Sequence, residues 1–116
     1  MTEFTYLFRG RETSPSPQHM QQTMEKWVAW FQELNAKGII KEPGHPLEPV
    51  GKVIKGKHKA INDGPYDGPF AEKDVVGGYI VIAAQDLAHA VEIAKGCPIL
   101  EMGGSVEVRP IQKVQI

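Results

Sequence analysis

A single cysteine, Cys97, in a chain of 116 residues excludes an internal disulfide, and without a CxxC pair there is no thiolate metal knuckle. The bland reading of Cys97, a small buried thiol after a helix, is the better one. No apolar run is long enough to cross a bilayer. The amino terminus, MTEFTYLFRGRE, meets charge too early for a secretory leader, so cytoplasmic residence without membrane contact is expected. Excess charge is also lacking: 13 Lys and Arg against 14 Asp and Glu leave a formal net charge of −1, too little to draw the chain to nucleic acid. Neither GxxxxGK[ST] nor GxGxxG occurs, so no nucleotide cofactor is expected. His19, His45, His58 and His89 show no close ligand spacing, so no metal is expected either.

What remains is a globular mix, with 41% hydrophobic and 23% charged residues, suited to one domain over residues 1–116 with a modest core. The chain is organised around residues 63–79, DGPYDGPFAEKDVVGGY, where two Asp-Gly-Pro-aromatic tetrads precede a Gly-Gly pair and an apolar strand. Asp-Gly and Gly-Pro are turn signals, and this loop is the first place to look for a site.

Residues 4–9 alternate as a strand, with Phe4, Tyr6 and Phe8 on one face and Thr5, Leu7 and Arg9 on the other. Ser16 makes an N-cap and Pro17 fits N1, starting a helix that runs to about Lys37 and stops at Gly38. Met20, Met24, Trp27, Phe31 and Leu34 recur at steps of four and three and are expected to face the core, with Val28 and Trp30 widening the stripe. Residues 39–42 enter a second strand, punctuated by Pro43-Gly44 and His45-Pro46. Residues 50–55 and 58–62 read as a hairpin turning near 55–57, lysine-rich and suited to an exposed edge rather than to a binding patch.

Residues 75–84 are the most strand-like stretch. Tyr79, Val81 and Ala83 share one face and Ile80, Ile82 and Ala84 the other, and neither face is polar. Asp86 caps a second helix to about Lys95, with Leu87, Ala90, Val91 and Ala94 toward the core and His89, Glu92 and Lys95 outward. Residues 105–109 form a last strand, ended by Pro110.

Strand, helix, strand or hairpin, strand, helix, strand is the order of an α+β, ferredoxin-like plan: an antiparallel sheet with two helices on one face. Two helices leave the other face bare, whereas a strand apolar on both sides needs both covered. A second copy supplies that cover, with Ile80 and Ile82 among the residues it shields, so a homodimer is expected. The structural alternative is a monomer with a long loop folded across the sheet.

Six short segments, in order, carry a family resemblance. They are Ser16-Pro17, the Gly-x-Pro-Leu-x-Pro run at 44–49, DGPFAE at 67–72, Gly77-Gly78-Tyr79, Gly96-Cys97-Pro98 and GSVEVRP at 104–110. Over nearly the whole chain they resemble the YCII-related, or DGPF-domain, family. The resemblance implies ferredoxin-like protomers pairing as a dimeric α/β barrel, and small-molecule acid–base chemistry by a His-Asp pair. Of the histidines, His19 is the candidate acid or base, with Asp63 or Asp67 orienting its ring. Both tetrads fit the family position; the Ala-Glu after Phe70 favours Asp67. Arg9 is a candidate clamp for a carboxylate or carbonyl oxygen, Glu72 a second acid or base, and Tyr6, Phe8 and Phe70 walls for a small organic ligand. The enzyme read this way is an isomerase, lyase or hydrolase. Beside it stand a noncatalytic ligand-binding or regulatory dimer, and a structural protein whose turn residues serve folding alone.

Overall fold

β1 (Thr2–Arg9) sends Phe4, Tyr6 and Phe8 to one side of a sheet by its period of two, and all three are buried. The computed structural model, which describes residues 1–10, 16–67 and 74–114, places β1 between two antiparallel neighbours. These are β5 (Val76–Ala84) and β6 (Ser105–Pro110); β2 (Ile40–Pro46) lies beyond β5, giving the order β2-β5-β1-β6. Helix α1 (Pro17–Ala36) links β1 to β2, and α2 (Leu87–Ala94) links β5 to β6. The result is the α+β, ferredoxin-like sheet expected from the sequence. Trp30 and Leu34 of α1 and Ala90 and Ala94 of α2 close one core with Phe4, Tyr6 and Phe8, so both helices cover the same face. β3 (Gly51–Lys55) and β4 (Ala60–Gly64) form a separate two-stranded ladder between β2 and β5 in the chain. Its turn occupies 56–59, slightly later than the expected 55–57.

Three expectations are corrected by packing. Ile80 and Ile82 do not belong to the helix-free face: they are 1% and 0% exposed under the helices. Their register partners are Tyr6 and Phe4, which fixes the side. Alternation then puts Tyr79, Val81 and Ala83, with Thr5 and Leu7, on the face without helices. Second, Met20 and Met24 are 56% and 63% exposed, while Trp30 is buried. The sheet meets α1 through Trp27, Trp30, Phe31 and Leu34, and the first turns of the helix overhang it. Third, Leu87 and Val91 are exposed, because α2 approaches the sheet through the small Ala90 and Ala94. The other expectations for α2 differ in degree. Asp86 caps it as expected, accepting from His89 N–H, but His89 is half-buried and its Nδ1 accepts from Gln85 N–H at 3.0 Å. A 3₁₀ helix at Pro98–Met102, absent from the sequence reading, follows it.

Close approach of α2 lets the Tyr6 hydroxyl donate to Ala90 O at 2.5 Å. Burial pushes the Tyr6 phenol up, with nearby Cys97 adding to it, and pushes the Cys97 thiol up to about 12. An unfolded thiol ionises near pH 8.5, so the stability due to a neutral Cys97 is intact below about pH 8.5 and is lost as pH rises toward 12. A melting series from pH 8 to 11 is expected to fall with one-proton slope, about 1.4 kcal/mol per pH unit, steepening above about pH 10 as Tyr6 joins. Cys97→Ala is expected to flatten the part below pH 10, and an unaltered slope there would acquit the thiol.

Candidate functional site

Where β1 ends and β5 begins, the first half of α1 leaves a cavity of about 340 Å³ between itself and the sheet. Its walls include Phe8, Met24, Trp27, Phe31, His45 and Tyr79. The aromatic side is tightly arranged. Trp27 meets Phe8 edge-on with ring centroids 5.0 Å apart and stacks on Phe31 at 5.7 Å, geometries that suit ring quadrupoles.

The opposite side is made by an irregular edge strand. Pairing of β2 with β5 shifts register between Glu42 and His45, and Gly44 occupies the shift with φ +59°. There the backbone of β2 lies so close to β5 that a Cβ on Gly44 would stand 1.8 Å from Tyr79 O. His45 consequently comes opposite Tyr79, with ring centroids 6.3 Å apart and planes at 70°. Gly78 forms the adjoining floor, where a Cβ would meet His45 O at 3.2 Å and Pro46 Cα at 3.3 Å. On the third side, the 3₁₀ helix contributes Ile99 and Met102, and a Lys26–Glu101 ion pair of 2.7 Å ties it to α1.

Against this geometry the residues singled out in the sequence divide. Phe8 lines the cavity. His19 is exposed in the first turn of α1, where its N–H donates to Ser16 Oγ at 3.3 Å. It stands one helical turn before Thr23, a lining residue, and i, i+4 positions share a helix face. Tyr6 lies in the core with its hydroxyl on α2. Arg9 projects to the side of β1 opposite Phe8; its Nε donates to Glu107 Oε1 at 3.0 Å and its guanidinium to Asp74 O at 2.7 Å. Glu107 also accepts from Arg109 at 3.1 Å, and these two bonds, Arg109 first, hold its carboxyl below the usual carboxylate range. Asp63 is exposed on β4 and pairs with Lys52, its register partner on β3. Asp67 is exposed immediately before 68–73. Phe70 and Glu72 fall outside the described residues.

His45, Trp27 and Tyr79 enter the site from tertiary structure. The one sequence signal for His45 was its place in the Gly-x-Pro-Leu-x-Pro run. Among the described residues, no three His, Cys, Asp or Glu side chains converge as a metal site. No helix among them is long and apolar enough to cross a membrane.

Residues 3–115 match the YCII-related domain. The chain is also similar to the solved structure of 5-chloro-2-hydroxyhydroquinone dehydrochlorinase (TftG) from Burkholderia phenoliruptrix AC1100 in complex with 2,5-dihydroxybenzoquinone. The TM-score is 0.50 at 16% sequence identity, covering 95% of this chain and 93% of that one. At that identity the likeness speaks for the fold alone. No curated protein sequence matches.

Proposed function

This chain belongs to the YCII-related domain family, and from that membership we propose that it is a small-molecule enzyme, an isomerase, lyase or hydrolase that moves a proton on a ring-sized organic substrate. One observation carries the reading: a cavity of about 340 Å³ with the aromatic walls of Phe8, Trp27 and Phe31, bordered along β2 and β5 by His45 and Tyr79, whose ring centroids are 6.3 Å apart. Apolar clefts with a few oriented polar groups are what small organic ligands require, and imidazole is the commonest proton carrier in enzymes. In this reading Trp27 and Phe31 hold the ring, and His45, at the irregular β2–β5 border of the cavity, takes or gives the proton where the ring reaches that border. His19, at the outer end of the same helix face as Thr23, is the second candidate, with Asp67 as the carboxylate that orients it. Asp63, Arg9 and Tyr6 have no part in it, since each is engaged elsewhere. The working form is proposed to be a homodimer whose second copy covers the helix-free face bearing Leu7, Tyr79 and Val81. One observation favours a noncatalytic binder instead: among the described lining residues, no carboxylate accompanies His45.

The test begins with binding. Titration with 2,5-dihydroxybenzoquinone, the ring compound of the TftG complex, is expected to quench tryptophan emission to saturation, and Trp27→Phe to remove most of that quench. With a turned-over ring compound in hand, His45→Ala is expected to lower kcat/KM by about 10²–10⁴ while leaving Kd nearly unchanged. Unchanged kcat/KM in His45→Ala and His19→Ala alike would discard both proton-transfer roles and leave the binder.

A further inference from the structure

We propose that the β3–β4 hairpin of one copy lies across the cavity of a second copy of this chain, so that each site is completed by its partner. The inference deepens the functional reading above and rests on it for the meaning of the cavity. It starts from a ladder that, among the described residues, joins no other sheet. β3 and β4 pair with each other and with no strand of the four-stranded sheet. Ile54 and Ile61, register partners across that ladder, are 66% and 67% exposed. An isolated two-stranded hairpin with an open apolar pair is marginal in water, and packing against another element is what stabilises one. The molecule measures 46 × 46 × 20 Å with a radius of gyration of 15.7 Å, against about 13 Å for a compact 100-residue domain. The hairpin therefore reaches outward, and five residues of strand span about 17 Å.

A matching surface exists in the same chain, at a place the hairpin does not cover. Met20, Met24 and Val28 recur every four residues along α1 as an exposed apolar row beside the cavity, and Met24 lines it. Charges around the two surfaces are complementary, with the exposed Lys41 on β2 the exception. On the hairpin, Lys55, Lys57 and Lys59 have no ion pair among the described residues. Nor do Glu25 on α1 and Glu42 and Glu48 along the β2 side. The root of the hairpin is fixed at the rim, where Leu47 N–H donates to Gly77 O at 2.8 Å. No residue of the hairpin lines the cavity of its own chain, and a twofold partner can bring one there. Twofold symmetry then makes the exchange reciprocal, one hairpin to each cavity.

Crosslinking tests this without a substrate. Met24→Cys and Ile54→Cys copies carrying tags of different size are co-expressed and treated with a short bismaleimide. Both positions are exposed, whereas Cys97 is buried with its thiol pushed up to about 12 and stays unreactive. The expected product is a covalent dimer bearing both tags, absent when either variant is expressed alone. Met20→Cys with Ile61→Cys repeats the test should one pair fold poorly. A crosslink within a single Met24→Cys/Ile54→Cys chain, a dimer from Ile54→Cys alone, or no covalent product from a sample that sediments as a dimer would each overturn the placement. Failure to bind any ring compound despite the expected crosslink would instead sink the enzyme reading and leave the hairpin where it is.

Discussion

Trp30→Ala is expected to cost about 3–5 kcal/mol of folding stability, the range for truncating a buried Phe or Trp. Trp30 sits where both helices and the sheet meet. It stacks on Tyr6 with centroids 6.4 Å apart and touches the edges of Phe8 and Trp27 at 6.2 and 6.0 Å. From the far side Gly96 presses against it: a Cβ there would lie 3.1 Å from Trp30 Nε1. Removing the indole leaves a void bounded by rigid rings and backbone, which collapse poorly. For a domain with a typical 5–15 kcal/mol in hand, the loss is a large share of the total. Urea titration of wild type, Trp30→Ala and Trp30→Phe measures it. Phe is expected to retain much of the stability, and an alanine cost below about 1 kcal/mol would mean the indole is not the keystone of this core.

Gly44→Ala is the second large effect, expected to exceed about 3 kcal/mol because two faults coincide. A non-glycine residue in the left-handed region costs about 1–2 kcal/mol by itself. At Gly44, with φ +59°, the new methyl would also stand 1.8 Å from Tyr79 O and 2.7 Å from Tyr79 C, both backbone atoms that cannot rotate aside. β2 must part from β5 to admit it, carrying His45 off the cavity wall. Gly38→Ala is the control, with φ +71° but nothing within 4 Å of the added carbon. The control is expected to show the conformational cost alone, about 1–2 kcal/mol, and to leave ring-compound binding intact. Equal losses for the two variants would refute the clash.

Much of this fold was legible because the signals were local. Phe4, Tyr6 and Phe8 hold one face by strict alternation, with Glu3, Thr5 and Arg9 polar and only Leu7 apolar on the other, Ser16-Pro17 opens α1, and Asp86 opens α2; each feature is settled within a few residues. The face of β5 was not legible, since Ile80 and Ile82 are no more apolar than Tyr79 and Val81 as a pattern, and only pairing with β1 decides between them. Met20 and Met24 continue the helical period faithfully, but the period cannot tell where the sheet beneath ends. The site suffered most from this. Its histidine depends on register shifts in β2, a property of two strands together, whereas the sequence directed attention to His19 and the Asp-Gly-Pro tetrads.

The overhang of α1 has a mechanical consequence. Between Pro17 and Lys26 the helix carries no buried residue, whereas Trp30 and Leu34 anchor its other half. One wall of the cavity is thus a cantilever, clamped at the far end and stayed near its middle by the exposed Lys26–Glu101 pair. In the ligand-binding role proposed above, a wall held in this way would let guests of different girth displace Met20 and Met24 while Trp30 and Leu34 keep the rest of the helix on the sheet.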